Sequence, residues 1–436
     1  MIIYSHNDSP RLRYIIDFIA NEWQTDSLSI TCSVDEFQKH IGPKINYSNA
    51  RQSANELWIQ PASLLFETGI MEQSIECFDN YGIKAFFKTN GDFPFDVFAA
   101  SFYLISRYEE YLPHKKDSYG RYAHENSLAY KEGFLQLPVV NSWLKSLNAI
   151  LNEKFSGSAF TSDQSRFNFL PTYDIDSAWS YKHKGFWRNT GGLLLSFIKG
   201  KWGLVAERIS VLRGKRKDPF DAFGWMNQLH EKNNLRPYYF FLVPDKRGRY
   251  DKNISPSNKA MQALIRDSVI RYPIGVHPSW QSGDDKLLLQ KEIKTLSTLN
   301  GNPVLSSRQH YIRFNLPEGY RRLIECGIKY DFSIGYGSIN GFRASVASPF
   351  YWYDIEKEEK TDLLLFPFCY MEANSFYEQK FSPEQALEEM RHFYKEVKSV
   401  KGYFIMIWHN SFLGTDKQFI DWRDVYEKFI KETAGN

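Results

Sequence analysis

Residues 167–176 read FNFLPTYDID, an apolar run closing on two carboxylates, Asp174 and Asp176, set two positions apart. Residues i and i+2 of a strand share a face, so this spacing aims both carboxylates the same way. Two close carboxylates repel when both are ionised, unless a cation lies between them or one holds a proton. A single Asp at a strand end is readily explained as a cap for the next segment; a pair is not.

Working outward, six further apolar runs follow: RPYYFFLV at 236–243, YPIGVHPS at 272–279, NPVLSSRQHYIRF at 302–314, IKYDFSIGY at 328–336, LLLFPFCYME at 363–372 and GYFIMIWHN at 402–410. Amphipathic helices are expected between them, over 222–234, 257–271, 284–299, 319–326 and 383–399. Strands alternating with helices imply parallel strands joined by crossover helices, and seven runs suggest a barrel or distorted barrel. Several runs end in groups that bind metals or move protons: Asp174 and Asp176, His277, Arg308 and His310, Asp331, and His409. In a parallel barrel the C-terminal strand ends form one mouth, which would bring together residues more than 200 positions apart.

Taken singly, each histidine is weak evidence. His277 directly follows an apolar run, where a satisfied interior histidine is as frequent as a ligand. His310 lies two positions beyond Arg308, so those two are expected on one face of the fourth strand. His409 ends FIMIWH, a largely dry setting able to shift an imidazole pKa. The joint placement at strand ends is what points to chemistry.

Upstream, residues 1–160 are expected to form a smaller α/β domain, with a helix over about 94–111, a second over about 140–155, and a linker GSAFTSDQS at 157–165. The larger domain spans 165–436. It is interrupted at about 185–218 by a basic amphipathic insertion whose segment 187–217 has no strand of its own. The expectation for it is a helical cover over the barrel, with a membrane-surface or acidic-glycan contact as the alternative.

Composition removes several function classes. The 436 residues carry Lys+Arg 54 against Asp+Glu 51, net +3, too balanced to argue for nucleic acid. Aromatics reach 17%; flat rings suit sugar grooves, although ordinary core packing explains the figure as well. The 4 cysteines form no CxxC pair, so neither a disulfide framework nor a zinc ribbon is expected, and buried free thiols are. No stretch approaches the roughly 20 apolar residues of a bilayer span, and the first residues lack a signal-peptide pattern, so the expectation is a cytoplasmic protein. A Gly-rich phosphate loop, GxSxG and HExxH are all absent from the sequence, which counts against nucleotide enzymes, α/β serine hydrolases and zincins.

From about residue 167 to the C-terminus these motifs resemble the polysaccharide deacetylases of carbohydrate esterase family 4, the NodB-like group, in a bacterial branch with an added N-terminal domain. TYDID resembles the first motif, GVHPSW the histidine motif, RQHYIRF the Arg-bearing motif and WHN the last. YDFSIGYGSINGFRASVASPFYWYD, FDVFAASFYLISRYEEY, GRYAHENSLAYKEGFL and PVVNSWL also look like that branch. The resemblance implies an α/β fold, a distorted (β/α) barrel preceded by the smaller α/β domain. It also implies a metal-dependent hydrolase acting on an amide, removing an N-acetyl group from a glycan, with surface-polysaccharide biosynthesis as the setting. By the same likeness Asp174 is the base, Asp176 and His277 bind a divalent metal (Zn²⁺, with Co²⁺ or Ni²⁺ as alternatives), and His409 is the acid. A swapped assignment of the two aspartates stays open. Arg308 would hold Asp174, while Asp331, Arg343 and Trp408 would touch substrate. The family's second motif histidine is replaced here by Gln281, and His310 is expected to supply the missing ligand. An inactive glycan-binding protein on the same fold and an O-acetyl esterase are the rival readings.

Overall fold

Pro10 opens the first helix, Pro10–Glu22, at a position where its missing N–H costs nothing, and the Ser9 side chain caps it by accepting from the Leu12 N–H. Leu12, Ile15, Ile16 and Ile19 line its buried face, each contributing about 1.5–3 kcal/mol of apolar burial. This helix covers a parallel four-stranded sheet in the order β2-β1-β3-β4, built from β1 (Ile2–Ser5), β2 (Ser29–Thr31), β3 (Lys44–Tyr47) and β4 (Leu57–Ile59). A small antiparallel hairpin follows, β5 (Phe78–Asn80) and β6 (Ile83–Ala85). The computed structural model describes residues 1–25, 28–156 and 166–433. The linker expected at 157–165 lies outside them.

The helix expected over 94–111 is shorter, Val97–Ile105. Asp96 caps it through the N–H groups of Phe98 and Ala99, and Arg107, at φ 57°, breaks it before a 3-10 turn at Tyr108–Glu110. The second expected helix runs Val139–Lys154.

The large sheet has nine strands: β7 (Asn168–Ile175), β8 (Tyr238–Leu242), β9 (Ile274–His277), β10 (Ser306–Ser307), β11 (Tyr330–Asp331), β12 (Phe350–Asp354), β13 (Glu359–Leu365), β14 (Tyr370–Met371) and β15 (Tyr403–His409). Their order is β12-β13-β11-β10-β9-β8-β7-β15-β14, and every pair is parallel except β12 with β13. Each of the seven apolar runs contributes a strand. The helices between them lie at Phe223–Lys232, Lys259–Arg271, Lys286–Asn300, Glu318–Glu325 and Pro383–Ser399.

The sheet expected to form a distorted (β/α) barrel is not closed: β12 and β14 end the ladder and share no pairing among the described residues. Local chemistry accounts for the gap. Pro367 interrupts the run between β13 and β14 and supplies no N–H. β10, β11 and β14 are only two residues long. The antiparallel hairpin of β12 and β13 carries no alternating signal clear enough to separate it from its neighbours in sequence. Gly275 on β9 is required by close packing, since a Cβ there would stand 2.5 Å from the Phe240 ring and 2.9 Å from the Ser306 carbonyl.

One apolar cluster is continuous from the first sheet to the second. Across it, Tyr14 donates to the Tyr351 carbonyl at 2.7 Å, and Arg11 pairs with Glu358 at 2.5 Å. All four cysteines are free thiols; Cys369 is buried as expected, whereas Cys32 is exposed. No helix among the described residues is long and apolar enough to cross a membrane.

Candidate metal centre and cleft

Asp174 is the penultimate residue of β7 and Asp176 lies one position beyond its end, so both carboxylates face the C-terminal edge of the sheet. β9 lies two strands away and ends on His277. His277 Nε2 stands 3.1 Å from Asp176 Oδ1 and 3.8 Å from Asp174 Oδ2. His310 Nε2 and His409 Nε2 are each 3.4 Å from Asp176 Oδ2. Asp176 is thus the centre of three imidazoles drawn from different loops and strands.

His310 reaches this position by a route other than the one expected. Neither it nor Arg308 is on the fourth strand; β10 ends at Ser307, and His310 opens a 3-10 turn whose Tyr311 has φ 59°. The turn, and not strand alternation, swings its ring over the site. Gln281 is no part of the cleft; its side chain packs beside Gly248.

Both candidate histidine ligands are oriented from behind. His277 Nδ1 lies 2.5 Å from the Arg308 carbonyl, and His310 Nδ1 lies 3.0 Å from Asp251 Oδ1. Each ring therefore turns Nε2 toward Asp176. A carbonyl or carboxylate on the far nitrogen is the arrangement that fixes a metal-ligating imidazole and raises its basicity. The ligand atoms of Asp176, His277 and His310 all lie within 4.8 Å of one another. Asp176 Oδ1 is a buried oxygen whose one polar neighbour among the described residues is His277 Nε2, whose lone pair would serve a cation as readily as its own. The donor set, two imidazoles and one carboxylate, suits Zn²⁺ or a similar ion.

The protonation balance agrees. Burial disfavours the charged form of Asp176, but the facing His310 and His409 outweigh it and hold the carboxyl well below the usual range. Burial pulls His310 down, and Asp176 with Asp251 more than restores it, to about 9. For His409, burial is likewise overcome by Glu372 and Asp176, which push its pKa upward. Protons on these rings and a divalent cation are alternative ways of neutralising the same anion.

Asp174 is held differently. Arg308 Nη1 donates to Asp174 Oδ1 at 2.9 Å and to Thr172 Oγ1 at 2.7 Å, while the guanidinium lies 4.3 Å from the centre of the Phe240 ring. One aspartate therefore faces imidazoles and the other a fixed cation, which gives them distinct chemistry.

A cleft of about 420 Å³ opens over this floor. Its wall includes Tyr119 and Arg121, from the segment upstream of the large sheet, as well as Tyr311, Tyr377 and Phe412. Tyr119 stacks on Tyr311 at 5.3 Å between ring centres, and Arg121 Nη1 donates to the Tyr311 carbonyl at 2.8 Å. Sequence reasoning missed both residues, along with Asp251 and Glu372. Glu372 ends an apolar run and could have been flagged there; the other three sit in polar loops without a pattern.

The three residues expected to touch substrate do not line the cleft. Asp331 is wholly buried and accepts from Ser307 and Ser333, with burial pushing its pKa up to about 6. Arg343 is buried, with its guanidinium spent on Glu110 and the Gly335 carbonyl. Trp408 faces away from the cleft, packed 4.5 Å from the Tyr426 ring, because neighbours on a strand point to opposite faces.

Residues 1–156 match a family model described as a family of unknown function, DUF7033. No curated protein matches the chain. Among solved structures it is similar to a putative polysaccharide deacetylase from Mycobacterium smegmatis at 13% identity and TM-score 0.39, covering 62% of this chain and 84% of that one. It is also similar to Puue allantoinase at 10% identity and TM-score 0.40, covering 62% and 85%. A probable polysaccharide deacetylase from Pseudomonas aeruginosa PAO1 shows 11% identity and TM-score 0.39, covering 62% and 86%. Likenesses this slight leave the functional reading to the side chains.

Proposed function

We propose that the chain is a metal-dependent deacetylase that removes an N-acetyl group from a sugar of a surface polysaccharide or its precursor. The observation that carries this reading is the convergence of Asp176, His277 and His310, with ligand atoms within 4.8 Å, beside a second carboxylate and a third imidazole in one cleft. Those three residues would hold the cation. When bound there, a divalent cation polarises an acyl carbonyl and lowers the pKa of water.

The remaining roles belong to the chain's own groups. Asp174, oriented by Arg308, takes a proton from the attacking water. His409, backed by Glu372, gives a proton to the departing amine. An acid and a base in one cleft suit hydrolysis of an unactivated amide, whose nitrogen leaves poorly unless protonated.

The test is elemental analysis of the wild-type protein beside His277→Ala and His310→Ala, followed by acetate release from a panel of N-acetyl and O-acetyl glycans. About one equivalent of metal, lost in both variants, and release from N-acetyl substrates is the expected result. His409→Ala should keep its metal and lose turnover. A protein that takes up no Zn²⁺, Co²⁺ or Ni²⁺ would sink the hydrolase reading in favour of a glycan-binding one. Release confined to O-acetyl substrates would make it an esterase.

A further inference from the structure

The basic insertion folds as two helices, Phe186–Ile198 and Trp202–Leu212, joined by three residues into a hairpin. Arg208 holds them together: its Nη1 donates to the Asn189 carbonyl at 3.1 Å, and its guanidinium lies where a Cβ on Gly192 would be. Asp218 closes the base by accepting from the N–H groups of Ser180, Tyr181 and Lys182.

What distinguishes this hairpin is the apolar surface it leaves uncovered. Of the 20 exposed large hydrophobic residues among those described, nine lie between Phe186 and Leu212. Trp187 is 86% exposed, Phe186 73%, Ile198 71% and Trp202 60%. Ser196 is the only buried residue of the first helix. A helical cover would turn its apolar side inward; this one turns it outward. Contiguous exposed apolar surface on a folded chain marks an interaction site.

The charge says what kind. Residues 186–217 hold eight Lys or Arg against one Glu. Without them Lys+Arg falls from 54 to 46 and Asp+Glu from 51 to 50, so the rest of the chain is net acidic. Lys199, Lys201, Arg213 and Lys215 are exposed and make no ion pair among the described residues. Trp, Phe and Leu on one surface, flanked by unpaired cations, is the composition of helices that lie in the headgroup region of anionic bilayers.

We propose that the hairpin Phe186–Leu212 docks the protein on an anionic lipid bilayer surface, inserting its aromatic residues among the headgroups. The base of the hairpin also holds the loop that supports the cleft from behind. Arg188 donates to the Lys252 carbonyl at 2.7 Å, next to Asp251, which orients His310. Docking would therefore set the cleft close to the membrane surface, where a lipid-linked substrate would be found. The proposal stands without the deacetylase reading.

The experiment is flotation of the full-length protein with vesicles of phosphatidylcholine alone and of phosphatidylcholine with phosphatidylglycerol at 3:1, beside two variants and a measurement of oligomeric state. Expected is binding to the anionic vesicles only, weakened by salt, with a blue shift of tryptophan emission lost in Trp187→Ala/Trp202→Ala. Lys199→Glu/Lys201→Glu/Lys215→Glu should bind more weakly, by about fivefold for each cation removed. All the altered side chains are exposed, so circular dichroism should be unchanged. Absence of binding, equal binding to neutral vesicles, or a dimer that the tryptophan variant splits would overturn the proposal.

Discussion

Glu372 accepts hydrogen bonds from both the backbone N–H of His409, at 2.9 Å, and its Nδ1, at 2.6 Å. The double contact fixes the ring so that Nε2 points at Asp176, 3.4 Å away. Glu372 is wholly buried, and its other oxygen has no hydrogen-bond partner among the described residues, so both of its hydrogen bonds go to His409.

Glu372→Gln keeps the shape and removes the charge. Turnover should fall about 10–100-fold while bound metal stays at the wild-type level, since general acids contribute in that range or above. Acetate release and elemental analysis on the same sample check it; undiminished turnover would show that Glu372 merely holds the backbone.

Asp251 plays the corresponding part for His310. Asp251→Ala should weaken metal affinity about 10–100-fold, read by competition with a chelator. Asp251 also accepts from the Trp280 N–H at 2.9 Å. Asp251→Asn, which retains an acceptor, should fall between the wild type and Ala. Equal metal affinity in all three proteins would confine Asp251 to anchoring the loop.

Tyr119→Ala tests whether the upstream segment takes part in substrate binding. Its stacking on Tyr311 beside the cleft should favour a sugar ring equally in ground and transition states. The expectation is a KM raised about threefold to tenfold with kcat nearly unchanged. A lower kcat at constant KM would contradict it.

Glu110, in the turn Tyr108–Glu110, and Arg343, in the loop before β12, form a buried pair, with Glu110 Oε2 2.5 Å from Arg343 Nη2. Burial opposes ionisation of Glu110, but Arg343 and Arg107 overcome it and lower its pKa to about 2. The folded value is below the unfolded one, so the unfolded chain takes up the proton first as pH falls. The contribution is fully present above about pH 4.5, is lost between there and about pH 2, and amounts to about 3 kcal/mol. Glu110→Gln should lower the urea midpoint at pH 7 and flatten its decline in acid. Arg343→Ala, which leaves the buried carboxylate with Arg107 alone, should cost about 3–5 kcal/mol. A midpoint indifferent to either change would remove the pair as a fastening.

The strand ends were readable because the signal is local: an apolar run followed by a polar residue marks where a strand stops, whatever it pairs with. Trp408 shows the limit of that reading. It lies next to His409, and alternation alone places it on the opposite face, under the helix Trp422–Thr433. Arg343 had no such clue. A charged residue in a polar stretch looks exposed until a partner 233 positions away turns out to neutralise it.

By itself the sequence determined the alternation of strands and helices, the carboxylate pair at 174 and 176, and the histidines that end their runs, since hydrophobic period and strand-end chemistry are carried by neighbours in the chain. Only the tertiary structure decided that the sheet stays open, and that Asp176 faces three imidazoles while Asp174 faces Arg308. It also decided that Asp251, Glu372 and Tyr119 join the site, and that the basic hairpin shows its apolar side to solvent. Those outcomes depend on which distant groups meet across the fold, and spacing along a chain holds no record of that.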